Sequence, residues 1–151
     1  MMKAEDIMTT KVVTIRGSAT VAEAVKLMKD NKLRSIVVEP RTDNDPYGIV
    51  TETDIVYNVG AYGKDPKQVR VYEIMTKPCI VVNPELGVEY VARLFANTGI
   101  RRAPVIKGKL LGIISITDIL RKSDFVENPK STFEMYCEEF PNAPEARIYE
   151  D

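Results

Sequence analysis

GIVTETDI at residues 48–55 and GIISITDI at residues 112–119 are two copies of one stretch. Each runs from a glycine through a short apolar strand to a hydroxyl residue, Thr51 or Ser115, and reaches an aspartate three positions on, Asp54 or Asp118. A repeat of this kind divides the chain into similar units and so governs every later assignment. The flanks repeat as well. Asp6-Ile7-Met8-Thr9 and the β-rich run 12–15 have companions in Glu73-Ile74-Met75-Thr76 and 80–82, at an offset of 67. Val21, Ala24, Val25 and Met28 recur at helical spacing, with Thr20 placed as N-cap and Glu23 three residues later; Val88, Val91, Ala92 and Phe95 match them. Strands are expected at 36–38 and 103–106. The first is followed by a Pro/Asp/Asn-rich hairpin loop over 40–47, the second by a tight turn at Lys107-Gly108-Lys109. The offset falls to 64 because the two connections differ in length, and loops absorb such a change most easily.

Each half therefore reads strand, helix, strand, strand, helix. One such unit exposes the bare face of a small sheet and is marginal alone, so the two are expected to pack by pseudo-two-fold symmetry, forming a disk-like module with two related clefts. The expected fold class is α/β (α+β), with two βαββα repeats and a short tail that is partly helical or disordered. The boundaries read as repeat 1 at 3–57, a linker at 58–71, repeat 2 at 72–122 and an acidic tail at 123–151.

Composition excludes several chemistries. The chain has 151 residues, and its 44% apolar content suffices for a core. A net charge of −1 lacks the electrostatic footprint of a general nucleic-acid binder. There is no histidine, which removes Ser-His-Asp and Cys-His nucleophile systems and any His-ligated zinc. Two cysteines, Cys79 and Cys137, supply neither a disulfide framework nor a four-thiolate site. No apolar run reaches the ~20 residues of a membrane helix. With Lys3, Glu5 and Asp6 near the start, a cytoplasmic, non-enzymatic protein is expected.

Thr51-x-x-Asp54 and Ser115-x-x-Asp118 allow two readings of one geometry. As helix caps, the hydroxyls take an orphan N–H and the acids suit the dipole. As a ligand site, the hydroxyl and free N–H groups face an anion while the Asp accepts from the two hydroxyls of a ribose. The glycine before each strand is read as making room for a ligand. Arg34, and Arg101 with Arg102, precede the second strand of each half, where they are surface charges or phosphate grips.

The double DIMT/EIMT, helix, strand, glycine-to-aspartate pattern resembles a tandem cystathionine-β-synthase-type (CBS) domain pair over about residues 3–122. The resemblance implies adenine-nucleotide binding in clefts between the halves, AMP favoured, with ADP, ATP or S-adenosylmethionine in some members. It implies Asp on the ribose, Ser/Thr on phosphate, and the base against the first strand of the opposite repeat. One cleft would then use Thr51, Thr53 and Asp54 with Cys79, Ile80, Arg101 and Arg102. The other would use Ser115, Thr117 and Asp118 with Val12, Leu33 and Arg34. Because Arg34/Ser35 stand opposite Arg101/Arg102, unequal affinities are expected. The resemblance also implies a homo-dimer or larger homo-oligomer. Cys79 itself reads as a small buried hydrophobe on a strand.

Beyond Arg121 the periodicity ends. Asn128-Pro129 is a break, and a short helix is expected over 132–140. The run YCEEFPNAPEARIYED resembles the C-terminal half of the small Calvin-cycle linker protein ("CP twelve") of chloroplasts and cyanobacteria. Tyr136, Cys137, Glu138, Pro141, Glu145, Arg147, Tyr149, Glu150 and Asp151 match in register. That family's disulfide-closed tail enters the active site of glyceraldehyde-3-phosphate dehydrogenase, and the complex captures phosphoribulokinase. This chain departs from it: Ala146 stands where the partner cysteine belongs, Phe140 replaces an asparagine, and the family's N-terminal half is absent. The combined expectation is an adenylate-sensing regulatory protein that inhibits or scaffolds one or both enzymes through its tail. The rival is a stand-alone nucleotide sensor for another enzyme or transporter, the tail serving oligomerisation. A nucleotide-hydrolysing reading finds no nucleophile–base pair to carry it.

Overall fold

β-Branched residues dominate the short strands, and the chain builds two small sheets from them. The computed structural model describes residues 2–125, so the helix expected over 132–140 and the tail residues Tyr136, Cys137, Glu138, Glu145, Arg147, Tyr149, Glu150 and Asp151 lie outside the described residues. The elements are α1 (Ala4–Ile7), β1 (Thr14–Ile15), α2 (Val21–Asn31), β2 (Ser35–Val38), β3 (Gly48–Thr51), α3 (Glu52–Asn58), α4 (Val88–Thr98), β4 (Arg102–Lys107), β5 (Lys109–Ser115) and α5 (Ile116–Lys122). Helix, hairpin and helix recur as read from the sequence.

The described residues form two compact units, 11–80 and 2–10 with 81–125. They cut across the sequence repeats. In the first, β1 runs parallel to β2 and β2 antiparallel to β3, with Ile36 opposite Val50. The core is Ile15, Ala24, Met28, Ile36, Val38, Val50 and Val71. In the second, β4 and β5 form a hairpin, and Val82, Val88, Val91, Phe95, Ala103, Val105 and Ile114 pack with Ala4 and Ile7. Val91 and Phe95 are at most 4% exposed, and burial of side chains this size contributes ~1.5–3 kcal/mol each.

The segment that opens each sequence repeat is thus built into the unit holding the other repeat's hairpin. The hydrogen bonds repeat one for one. Ala4 N donates to Leu86 O and Val88 N to Met2 O, while Val71 N donates to Ala19 O and Val21 N to Val69 O. Thr9 exchanges two backbone bonds with Ile113, as Thr76 does with Ile49. Val71, inside the stretch read as linker, is fully buried as a result.

Two expectations about strands need correction. The first strand of repeat 1 is two residues rather than four, and that of repeat 2 shrinks to one parallel bridge, Val82 to Val105. In repeat 2 the cause is Pro104. In repeat 1, Val37 N donates to Val13 O, but the corresponding residue, Pro104, has no N–H to offer Ile80. Ile80 is 40% exposed.

Candidate functional site

Both copies of the opening motif place a hydroxyl residue in extended conformation at the end of a strand, where it caps a seven-residue helix. Thr51 N donates to Asp54 Oδ2 (2.9 Å) and Asp54 N to Thr51 Oγ1 (3.2 Å). Ser115 N donates to Asp118 Oδ2 (2.9 Å) and Asp118 N to Ser115 Oγ (3.2 Å). These are reciprocal capping boxes, each satisfying two backbone donors. The next helical N–H is also satisfied: Glu52 N donates to Arg34 O and Ile116 N to Arg101 O, at 3.0 and 2.9 Å. Local cap chemistry accounts for much of the motif.

The copies then diverge. Asp118 is 7% exposed, and Ser115 Oγ donates a further bond to its Oδ2 (3.1 Å). Lys122 Nζ forms an ion pair with Asp118 Oδ1 at 2.9 Å, and that oxygen accepts from Thr9 Oγ1 at 3.4 Å. Asp54 is half-buried, and among the described residues its carboxylate accepts only from Thr51 N. One turn on, where the second copy has Lys122, the first has Asn58, whose amide donates to the Asp54 carbonyl rather than its carboxylate.

The reading of the two glycines needs correction. A Cβ on Gly112 would lie 2.7 Å from Thr9 O and 2.8 Å from Met8 Sδ; one on Gly48 would lie 3.2 Å from both Thr76 O and Met75 Sδ. The close approach is made by the incoming Met-Thr segment. Glycine here fits the chain to itself.

Of the residues expected at nucleotide sites, Thr51, Thr53, Asp54, Cys79, Ile80, Val12, Leu33 and Arg34 belong to one compact unit, and Arg101, Arg102, Ser115, Thr117 and Asp118 to the other. Thr53, Thr117, Arg34 and Arg101 are exposed, and Val12, Leu33 and Arg102 half-buried. Cys79 is not the buried strand residue expected. It is half-buried on irregular backbone, its N–H donates to Tyr47 O, and burial pushes its thiol pKa up. Sequence reasoning missed Thr9 and Lys122 as partners of Asp118. The i, i+4 spacing of Asp118 and Lys122 on one helix could have revealed the latter.

The CBS domain family model matches residues 4–60 and 71–124, repeating the duplication seen in the hydrogen bonds. The chain belongs to the CBS-domain family. It carries tandem CBS domains and, over residues 119–150, a CP12 domain. Among solved structures it is similar to a hexameric CBS-CP12 protein from bloom-forming cyanobacteria, with 71% identity and a TM-score of 0.85; the match covers 91% of this chain and 82% of that one. Among curated relatives it is 34% identical over 117 residues to an uncharacterized protein of Methanopyrus kandleri, covering 76% of this chain and 59% of that protein's length. It is also 34% identical to the CBS domain-containing protein YhcV of Bacillus subtilis, covering 79% of this chain and 84% of the relative. Joining CBS and CP12 domains in one chain points to a regulatory role. Among the described residues no helix is long and apolar enough to cross a membrane.

Proposed function

We propose that the tandem CBS domains sense an adenine nucleotide, AMP favoured over ADP and ATP, and that the CP12 domain carries this state to phosphoribulokinase, glyceraldehyde-3-phosphate dehydrogenase or both. The observation that carries the reading is the half-buried Asp54 carboxylate, held in place by Thr51 and, among the described residues, left with acceptor capacity unused. A ribose diol needs an anchored carboxylate with an open lone pair. The residues fit that requirement: the capping box fixes the orientation of Asp54, and Thr53 beside it is exposed for a polar contact. The bound nucleotide would supply no chemistry and would act as a regulatory ligand. Its control over the CP12 domain requires different affinities for two tail-presenting states. The hexamer formed by the cyanobacterial relative supports a multi-copy arrangement here, in which several tails are offered together.

The test combines calorimetry with AMP, ADP, ATP and S-adenosylmethionine with assays of both enzymes in the presence of the full chain. AMP is expected to bind, and to alter inhibition of at least one enzyme. A chain that binds no adenylate at millimolar concentration fails the sensing half. One that binds AMP but leaves both enzymes untouched fails the Calvin-cycle half, leaving a nucleotide sensor for another target.

A further inference from the structure

The two copies of the aspartate differ in what already satisfies them. Asp118 Oδ2 accepts from the Ser115 N–H and hydroxyl, while Oδ1 accepts from Thr9 Oγ1 at 3.4 Å and pairs with the Lys122 ammonium 2.9 Å away. Lys122 Nζ also reaches Thr9 Oγ1 at 3.4 Å, so the three side chains close on one another. With the residue only 7% exposed, a sugar hydroxyl gains a bond to Asp118 only by displacing an ammonium or a hydroxyl. That gives up an opposite charge 2.9 Å from a buried carboxylate for a neutral contact, and the balance favours the lysine. Asp54 faces no such competition. Asn58 stands at the Lys122 position and spends its amide on a helix carbonyl, and Thr76, at the Thr9 position, forms no side-chain bond to Asp54 among the described residues.

We infer that Lys122 is the residue that silences the second copy: the chain takes one adenylate, on the Asp54 copy, and Asp118 serves as an internal ion-pair acceptor. This rests on the nucleotide reading above and adds to it the stoichiometry and the residue that sets it. The unequal sites expected from the arginines acquire a different cause, since the discriminating position is one helical turn beyond the motif.

The experiment is calorimetry of the full chain with AMP. It compares wild type, Asp54→Asn, Asp118→Asn and Lys122→Met, substitutions that keep side-chain size and, for the asparagines, an acceptor for the cap. Wild type is expected to bind one AMP per chain. Asp54→Asn should weaken binding roughly tenfold or more, Asp118→Asn should leave it unchanged, and Lys122→Met should reveal a second, weaker site. Two AMP per wild-type chain overturns the inference while leaving the nucleotide reading intact, and needs no variant to show it. Equal losses in the two asparagine variants overturn it as well. A Lys122→Met chain that still binds one AMP removes Lys122 from the role. No binding by wild type overturns the nucleotide reading and this inference together, so the two failures are told apart.

Discussion

The β3–α3 and β5–α5 junctions share backbone, cap and register, yet differ in the residue four positions past the aspartate, Asn58 in one and Lys122 in the other. Among the described residues Asp54 is left with unused acceptor capacity and Asp118 is enclosed. A strand that must turn into a helix needs a capped first turn whatever the protein does, so the shared part of the motif belongs to the fold. What each copy can bind is decided by the neighbours supplied from outside the motif.

The largest expected difference between the copies is steric. Gly112→Ala would drive a methyl to 2.7 Å from the Thr9 carbonyl, a backbone atom that moves only with its segment. Gly48→Ala meets its nearest atoms at 3.2 Å, one of them a flexible methionine sulfur. Urea unfolding should register a loss of about 3 kcal/mol for Gly112→Ala and about 1 for Gly48→Ala. Equal losses would mean that the two incoming Met-Thr segments seat alike.

Next in size is the aspartate itself. Asp118→Ala removes a cap and leaves Lys122 without its ion-pair partner and Thr9 without its acceptor, so a cost of about 2–3 kcal/mol is expected. Asp54→Ala removes only the cap and should cost about 1 kcal/mol. The ranking is the reverse of that expected for AMP affinity, where Asp54 matters more. A single variant that led in both measurements would erase the distinction between a structural copy and a binding copy.

Much of this is legible in the sequence, for local reasons. Helix period, the Thr20–Glu23 box, the Thr51 and Ser115 caps and the short Lys107-Gly108-Lys109 turn each depend on residues a few positions apart. The exchange of opening segments is not legible, because periodicity reports which face of a segment is apolar and says nothing of which partner covers it. Ala4 and Ile7 would read the same beside either hairpin. Gly48 and Gly112 are misread on that account, since the atoms that demand glycine lie 28 and 103 residues away in sequence, at Thr76 and Thr9. The shortened strand at Val82, by contrast, is readable from Pro104 once its partner is known.

A smaller contrast lies at the helix ends. Lys32 and Gly99 are equivalent, and both adopt left-handed conformation, at φ 55° and 76°. Gly99→Ala should cost about 1 kcal/mol, since a side chain there meets the penalty that glycine avoids. Lys32→Gly should change stability by only a few tenths, because relief of that penalty is offset by a more flexible unfolded chain. Thermal melts of the two variants check the asymmetry.

The smallest effect separates two ion pairs, one in each unit. Asp45, in the long loop of repeat 1, has its carboxyl held below the usual range first by the Arg41 N–H and then by Lys77. Glu85 is lowered first by its hydrogen bond to Lys107 and then by that charge. Both groups are depressed in the folded chain, so what they contribute is present above their unfolded values, about pH 4, and is lost as pH falls through the folded ones. Salt should tell them apart. The Glu85–Lys107 side chains are 59% and 58% exposed and open to screening, whereas Asp45 and Lys77 are 23% and 18% exposed and the leading contact is a backbone dipole. Carboxyl NMR titrations at low salt and at about 1 M, where the screening length falls to roughly 3 Å, should move Glu85 back toward its ordinary value and leave Asp45 depressed. If Asp45 recovers as far as Glu85, its depression comes from the Lys77 charge rather than from the loop backbone, and the loop is tethered by charge alone.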